Sequence, residues 1–345
     1  MADAPVAIFD GHNDLVGRMF VDPTIDFFSG QGTVHISWDA LRAGGMVGGL
    51  FALFVPPRDG EGGDTDGSSP GVAPPVPLER ARRVVFSQFA ALTRLAERSG
   101  GRLKVCGSVA EIDACRRDGV VAAIPHLEGA EAISAGLDEL DVLYHAGLRS
   151  IGPVWSRHNR FARGVPIYGN LDPRDDRGLS SAGRRLVARC HDLGMVVDLS
   201  HMTEAGFWDV ARIDRGPLVA SHSNARVLSD CPRNLSDRQL AAIGDSGGLV
   251  GLNFATIFLR SDRAVNADTP LQTMIDHLRH LVDHAGVDHV GLGSDFDGAV
   301  IPRDIGTAAG LPRFVEAMRT AGFSAEEIEK ICWGNWRRLL QQVWR

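Results

Sequence analysis

Eight short apolar runs recur along the chain, most of them separated by a segment of helical period. They are VAIFD (6–10), VGGLFALFV (47–55), GVVAAIPHL (119–127), LRSIGPVW (148–155), GMVVDLS (194–200), PLVAS (217–221), GLVGLNF (248–254) and HVGLGS (289–294). Near-continuous apolarity without alternation marks strands buried on both faces, as in a parallel sheet covered by its own connections. The intervening segments supply those connections. Val85, Phe89, Leu92 and Ala96 share one face of LERARRVVFSQFAALTRLAERSG. SAGRRLVARCHDLG and SDRQLAAIGDSGG each run from a serine suited to an N-cap to a glycine, and PLQTMIDHLRHLVDHAG has proline in its first turn and glycine at its end. The last helix opens with Ser324 and, three residues on, Glu327, a capping box. Eight such units within 345 residues predict a (β/α)8 TIM-type barrel, with 1–345 as a single domain. One stretch breaks the rhythm: residues 56–77, PPRDGEGGDTDGSSPGVAPPVP, cannot bury a core and read as a flexible insertion after the second strand. On a barrel it falls on the catalytic side, either as a lid or as a tolerated surface insertion.

Composition narrows the function classes. The formal net charge of -7 leaves no basic face for nucleic acid or an anionic membrane. No apolar run approaches the ~18 residues of a membrane span. The opening MADAPVAIFDGHND has neither the basic nor the apolar region of a leader, and the C-terminus reads as an amphipathic helix rather than an anchor tail. Five cysteines, odd in number and without a C-x-x-C pair, suit free thiols. A cytoplasmic location is the resulting expectation. Only Lys104 and Lys330 occur among the 36 basic residues, so Schiff-base chemistry and a carboxylated-lysine metal bridge have almost no candidates.

In a barrel enzyme the chemistry sits where strands end. Here those ends are unusually polar: Asp10-Gly11-His12-Asn13-Asp14, His126-Leu127-Glu128-Gly129, Asp198-Leu199-Ser200-His201, Ser221-His222-Ser223-Asn224 and Asp295-Phe296-Asp297-Gly298. His12 and Asp14 lie two apart, so in extended backbone they project together and can grip one ion. His201 and His222 close adjacent strands and can hold a second, with Glu128 bridging both. This mixed nitrogen and oxygen set suits two zinc ions per chain. A bridging hydroxide would be the nucleophile. Asp295 is the candidate general base, passing the proton to the leaving nitrogen, with Asp297 a helper or a turn residue. His126 reads as a support for the ligands or as core, and His277, His280 and His284 as a solvated face of an outer helix.

DGHNDL, the EG after strand three, DLSH, SHSNAR followed by Pro232-Arg233-Asn234, and GSDFDG together resemble the membrane (renal) dipeptidase family, peptidase family M19, of the amidohydrolase superfamily. The resemblance implies a binuclear zinc barrel that hydrolyses dipeptides and accepts a D-residue at the C-terminal position. It assigns His12 and Asp14 to one zinc, His201 and His222 to the other, Glu128 to both, and Asp295 to acid/base work. It further implies that Arg233 holds the substrate carboxylate, as a planar two-pronged donor does well, and that the chain forms a homodimer. A carboxylate bridge also accords with the shortage of lysine.

The chain departs from the family pattern after strand four. There Trp155 stands where known members carry a substrate-contacting histidine, and His158, three residues on, is the other candidate to enter that space. Both belong to the expected substrate-binding set. Arg157, Arg160 and Arg163 around them point toward a different or more acidic substrate side chain, the plainer reading being arginines solvated in a loop. Besides zinc-dependent dipeptide hydrolysis, two alternatives stay open. One is a binuclear hydrolase of N-acyl amino acids or related amides and lactones, motivated by Trp155; the other is a non-catalytic metal- or ligand-binding barrel.

Overall fold

The computed structural model of the chain describes residues 6–32, 34–57, 72–213 and 215–344. All eight apolar runs become strands, and one short strand joins them. In chain order these are β1 (Ile8–Asn13), β2 (Met46–Phe54), β3 (Leu103–Val105), β4 (Val121–Glu128), β5 (Ser150–Gly152), β6 (Val196–Val197), β7 (Val219–Ala220), β8 (Leu249–Leu252) and β9 (Val290–Leu292). Neighbours pair in parallel in the order β6-β5-β4-β2-β1-β9-β8-β7. A bridge between Asp198 and Val219 closes the remaining seam, where the Leu199 N–H donates to the Val219 carbonyl at 2.7 Å. The result is a (β/α)8 barrel of TIM type.

β3 lies outside that ring. It pairs with Val121–Ala123 of β4, whereas β5 pairs with His126–Glu128. With only Leu103, Lys104 and Val105 to its length, it presents no apolar run to find in the sequence.

Alternation along the strands divides the core in two. Phe9, Leu50, Ala122, Ile124, Val196, Val219 and Leu249 gather in one cluster inside the ring, while their neighbours pack outward against the helices. The helix Leu78–Arg98 buries Val85 and Leu92 as expected, together with Gln88. Gln88 meets both polar groups of Phe54, accepting from its N–H at 2.7 Å and donating to its carbonyl at 2.8 Å, so the end of β2 is held on the side where its pairing with β1 has ended.

The inner cluster is sealed by the C-terminal helix. Trp333, Trp336, Leu339 and Leu340 belong to the same cluster, and the Trp336 indole N–H donates to the Leu292 carbonyl at 2.9 Å. Room for that indole comes from two glycines: a Cβ on Gly11 would stand 2.2 Å from Trp336 Cζ2, and one on Gly291 would stand 2.6 Å from its Nε1. Trp336→Ala should therefore lower the unfolding free energy by about 4 kcal/mol. Trp336→Phe, which keeps most of the volume but removes the indole donor to the Leu292 carbonyl, should cost about 1 kcal/mol. Chemical denaturation followed by far-UV circular dichroism checks both.

Candidate active site at the barrel mouth

β1 carries a register irregularity where the chemistry begins. From Asp10 to Asn13 it advances three residues while its partner β2 advances two, Gly49 to Phe51. Such a bulge re-aims side chains and is common beside active sites. His12 lies within it, fully buried. Asp14 is not in extended backbone, as the two-residue spacing had implied: it stands at the N-cap of the helix Leu15–Val21 with φ -107° and ψ 18°. Its carboxylate nevertheless returns to His12, with Oδ2 3.4 Å from Nε2.

β4 places His126 and Glu128 on the inner face. Glu128 Oε1 is the point on which the other donors converge: His201 Nε2 is 2.9 Å away, His222 Nε2 3.6 Å and His12 Nε2 3.7 Å. His201 and His222 bring their Nε2 atoms within 3.1 Å of each other. Their orientation is set from behind. The Ser221 hydroxyl donates to Asp198 Oδ2 at 2.5 Å, so it accepts from His222 Nδ1 at 2.8 Å, which leaves His222 Nε2 as a lone pair. Nδ1 of His201 is likewise engaged, by the Ser156 hydroxyl at 2.8 Å. His126 sits one layer below, its Nδ1 2.9 Å from the Ser150 hydroxyl and its Nε2 3.5 Å from Asp198 Oδ2.

This donor set fits metal ions on its own chemistry. Neither ring nitrogen of His12 has a hydrogen-bond partner, although both are buried, and a buried polar group without a partner is costly. The His222 Nε2 lone pair stands 3.6 Å from Glu128 Oε1, so two acceptors are held side by side. Two groups, His12 with Asp14 and Glu128, and Glu128 with His201 and His222, each bring their donor atoms within 4.8 Å of one another, and they share Glu128. Protons distribute unevenly over the cluster. Burial opposes charge on His12, but the Glu128 and Asp14 carboxylates push its pKa up to about 10. Burial pushes Glu128 well above the usual carboxylate range despite His12. Burial, with the positive charges of Arg233 and His12 close by, holds His201 and His222 well below the ordinary histidine range. A site that attracts positive charge at one end and keeps neutral imidazoles at the other is prepared for cations.

Above this cluster opens a pocket of about 560 Å³, with Asp14, Glu128, His201 and Asp295 among its lining and an apolar wall that includes Phe54, Trp155, Ile257 and Phe258. Asp295 follows β9 in left-handed backbone, φ 59°. Its Oδ2 accepts from Asn253 Nδ2 at 2.9 Å. Burial and the neighbouring Asp14 carboxylate raise its pKa. Gly298 gives both carboxylates room, since a Cβ there would meet Asp14 Oδ2 at 2.1 Å and Asp295 Oδ1 at 2.6 Å. Asp297 turns toward His35: its Oδ1 accepts from the His35 N–H at 2.6 Å, and its own N–H donates to His35 Nδ1 at 2.9 Å.

The expected substrate-binding residues divide. Trp155 lines the pocket, its ring centroid 4.8 Å from that of Phe54 and 6.1 Å from that of His201. His158 does not line it; its Nε2 faces Asp175 Oδ1 at 3.6 Å. Arg233 is buried deeper than the lining, with NH2 donating to the His222 carbonyl at 3.2 Å and NH1 to the Ser223 hydroxyl at 3.5 Å, while its Nε has no partner. Arg157, expected as a substrate-facing charge, points inward instead. It is 1% exposed, donates to the Val55 carbonyl at 2.7 Å, and sets its guanidinium 4.9 Å from the Trp155 ring. The arginine that does line the pocket is Arg18, which the sequence does not mark because it sits on a helix turn away from any strand end. Asn253 was read only as the end of an apolar run, and His35 and Tyr168 carried no signal. On the outer helix Leu271–Ala285, His277 is buried rather than solvated: its Nδ1 accepts from the Ala225 N–H at 3.2 Å and its Nε2 donates to the Leu259 carbonyl at 2.9 Å. Of the insertion at 56–77, residues 58–71 lie outside the described residues, while Pro56, Pro57, Val72 and Ala73 line the pocket.

No described helix is long and apolar enough to cross a membrane. The chain is similar along its whole length to solved metallopeptidases. A metallo peptidase from Rhodobacter sphaeroides, liganded with a phosphinate mimic of the dipeptide L-Ala-D-Ala, is 43% identical and superposes with a TM-score of 0.93, covering 99% of this chain and 100% of its own. Dipeptidase AC, a metallo peptidase of family M19, is 44% identical with a TM-score of 0.93 over 99% of each chain. An uncharacterized protein of the pqqA 5′ region of Klebsiella pneumoniae is 45% identical over 262 residues, 76% of this chain and 97% of that protein. The model of the membrane dipeptidase family, peptidase family M19, matches residues 3–345, and the chain belongs to that family as a metallo-dipeptidase.

Proposed function

We propose that the chain hydrolyses dipeptides with two zinc ions at the barrel mouth and accepts a D-residue at the C-terminal position. The observation that carries this reading is the meeting of His12, Asp14, His201 and His222 around Glu128, beneath a pocket that Asp295 enters. The dipeptide mimic on the Rhodobacter sphaeroides relative supports the substrate class and its stereochemistry. Divalent ions in such a site make water acidic enough to attack at neutral pH and polarise the carbonyl.

The chain's own residues do the rest. His12 and Asp14 would hold one ion and His201 and His222 the other, with Glu128 within reach of both sets. Ser221 with Asp198, and Ser156, keep the two imidazoles aimed. Asn253 anchors one oxygen of Asp295, leaving the other, beside Gly298, to take a proton from the attacking water and return it to the leaving amine. Arg233, buried behind the lining against His222 and Ser223, supplies positive charge that draws the substrate carboxylate to this side of the pocket. Five free, buried cysteines support a reducing, cytoplasmic setting.

Hydrolysis of N-acyl amino acids or related amides is the second reading, favoured by the apolar wall of Phe54, Trp155, Ile257 and Phe258 and by a pocket roomier than a small dipeptide needs. A zinc-loaded activity screen over L,L and L,D dipeptides and their N-acyl counterparts decides between them. Turnover of dipeptides with a free C-terminal carboxylate is expected, and its absence across the panel would falsify the first reading.

Asp295→Asn should lower kcat by about 10²–10⁴-fold while elemental analysis still finds the wild-type zinc content. Trp155→His should raise KM for dipeptides with a bulky apolar side chain by about tenfold, the equivalent of ~1.4 kcal/mol of lost apolar contact, with a smaller change for Ala-containing ones; steady-state kinetics on matched pairs measures this.

A further inference from the structure

A second gathering of groups able to hold a metal ion lies on the outer ring of helices, away from the barrel mouth. Asp237 opens the helix Asp237–Asp245, and His280 and His284 stand one turn apart on the neighbouring helix Leu271–Ala285. His280 Nε2 lies 2.7 Å from Asp237 Oδ1, and His284 Nε2 lies 3.4 Å from Asp237 Oδ2. The two imidazoles stack with centroids 4.0 Å apart and planes 21° from parallel. All three donor atoms fall within 4.8 Å of one another.

The tautomer of His284 makes this more than an ordinary surface pair. Its Nδ1 donates to the His280 backbone carbonyl at 3.0 Å, so in the neutral ring Nε2 is a lone pair aimed at a carboxylate oxygen. That arrangement calls for a positive centre between them, either an extra proton on the ring or a cation. We propose that Asp237, His280 and His284 form a surface site for a divalent transition-metal ion of the zinc class, separate from the ions of the barrel mouth. Two histidines at i and i+4 direct both Nε2 atoms to one point, and the carboxylate from the adjacent helix completes a three-ligand set with a position left for water. The side chains are 17%, 34% and 50% exposed for His280, His284 and Asp237, so an ion reaches them without any opening of the fold. Since the ligands come from two helices, an ion held there ties neighbouring units of the barrel together and binds only the folded chain, which stabilises it by linkage.

Equilibrium dialysis of the full chain against zinc at neutral pH, followed by elemental analysis, tests this when wild type is compared with His280→Ala/His284→Ala and, separately, with Asp237→Asn. Wild type should hold one more equivalent of zinc per chain than the double variant, and its thermal midpoint should rise with added zinc by more than that of either variant, while dipeptide turnover stays the same in all three. Equal zinc content in wild type and double variant overturns the proposal and leaves protonated imidazoles paired with Asp237. The difference between the proteins is independent of how many ions the barrel mouth binds, so failure here does not bear on the catalytic reading. Asp237→Asn, which keeps both imidazoles and the shape of the helix start, guards against a misfolded double variant: it should weaken zinc uptake without changing the circular dichroism spectrum.

Discussion

A single buried oxygen organises this protein. Glu128 Oε1 has three imidazole nitrogens within 3.7 Å, carried by segments far apart in sequence, and its side chain is buried at the floor of the pocket. An isolated carboxylate there would be several kcal/mol out of balance, and neutral imidazoles around it cannot restore the balance because at least one presents a lone pair of its own. Protonating His12 answers part of the deficit. A metal ion, which accepts lone pairs from several donors at once, would answer the rest. The strands are held in register by the apolar layer below, in which Trp336 closes the inner cluster, and that rigid layer fixes the positions from which the donors converge.

The same demand explains the backbone around the rim. Three residues other than glycine with positive φ stand at strand ends in the site: His201 at 66°, Asp295 at 59° and Asp297 at 69°. Left-handed backbone costs a residue with a Cβ roughly 1–2 kcal/mol, and it persists where surrounding contacts over-determine it. The contacts are present in each case. His201 is fixed by Ser156, Asp295 by Asn253, and Asp297 by its reciprocal bonds with His35. The extra residue in β1 achieves at His12 what the left-handed turns achieve elsewhere: it breaks the two-residue alternation so that a side chain which would face a helix faces the cluster.

These departures mark the limit of what the sequence discloses. Strand positions were legible because burial on both faces writes itself as continuous apolarity, and the five donors were legible because they follow those runs. Asp14 was found for an incomplete reason: spacing placed it in extended backbone beside His12, whereas a helix begins there and the carboxylate folds back. Arg157 misled because an arginine in a loop reads as solvated or substrate-facing, and nothing local reveals the Val55 carbonyl and the Trp155 ring that take it inside. Asn253 and His35 were silent for the converse reason, their partners lying 42 and 262 residues away.

Trp155 shows how a change at one position spreads into its support. A histidine at the mouth needs a polar partner, whereas an indole needs flat contact and dryness. Phe54 supplies contact along one edge, and Gln88 holds Phe54 by both of its backbone groups, so the aromatic wall is anchored in the helix Leu78–Arg98. Arg157 lies against the ring with its charge turned inward toward Glu131, 3.9 Å away. The wall therefore has a buried foundation in Gln88, Arg157 and Glu131, while Phe54 itself pairs with Glu128 along the sheet. Barrel folds carry their rim chemistry and the walls around it on different segments, and here the aromatic wall draws its support from the helix Leu78–Arg98 while the imidazoles and carboxylates come from the strand ends.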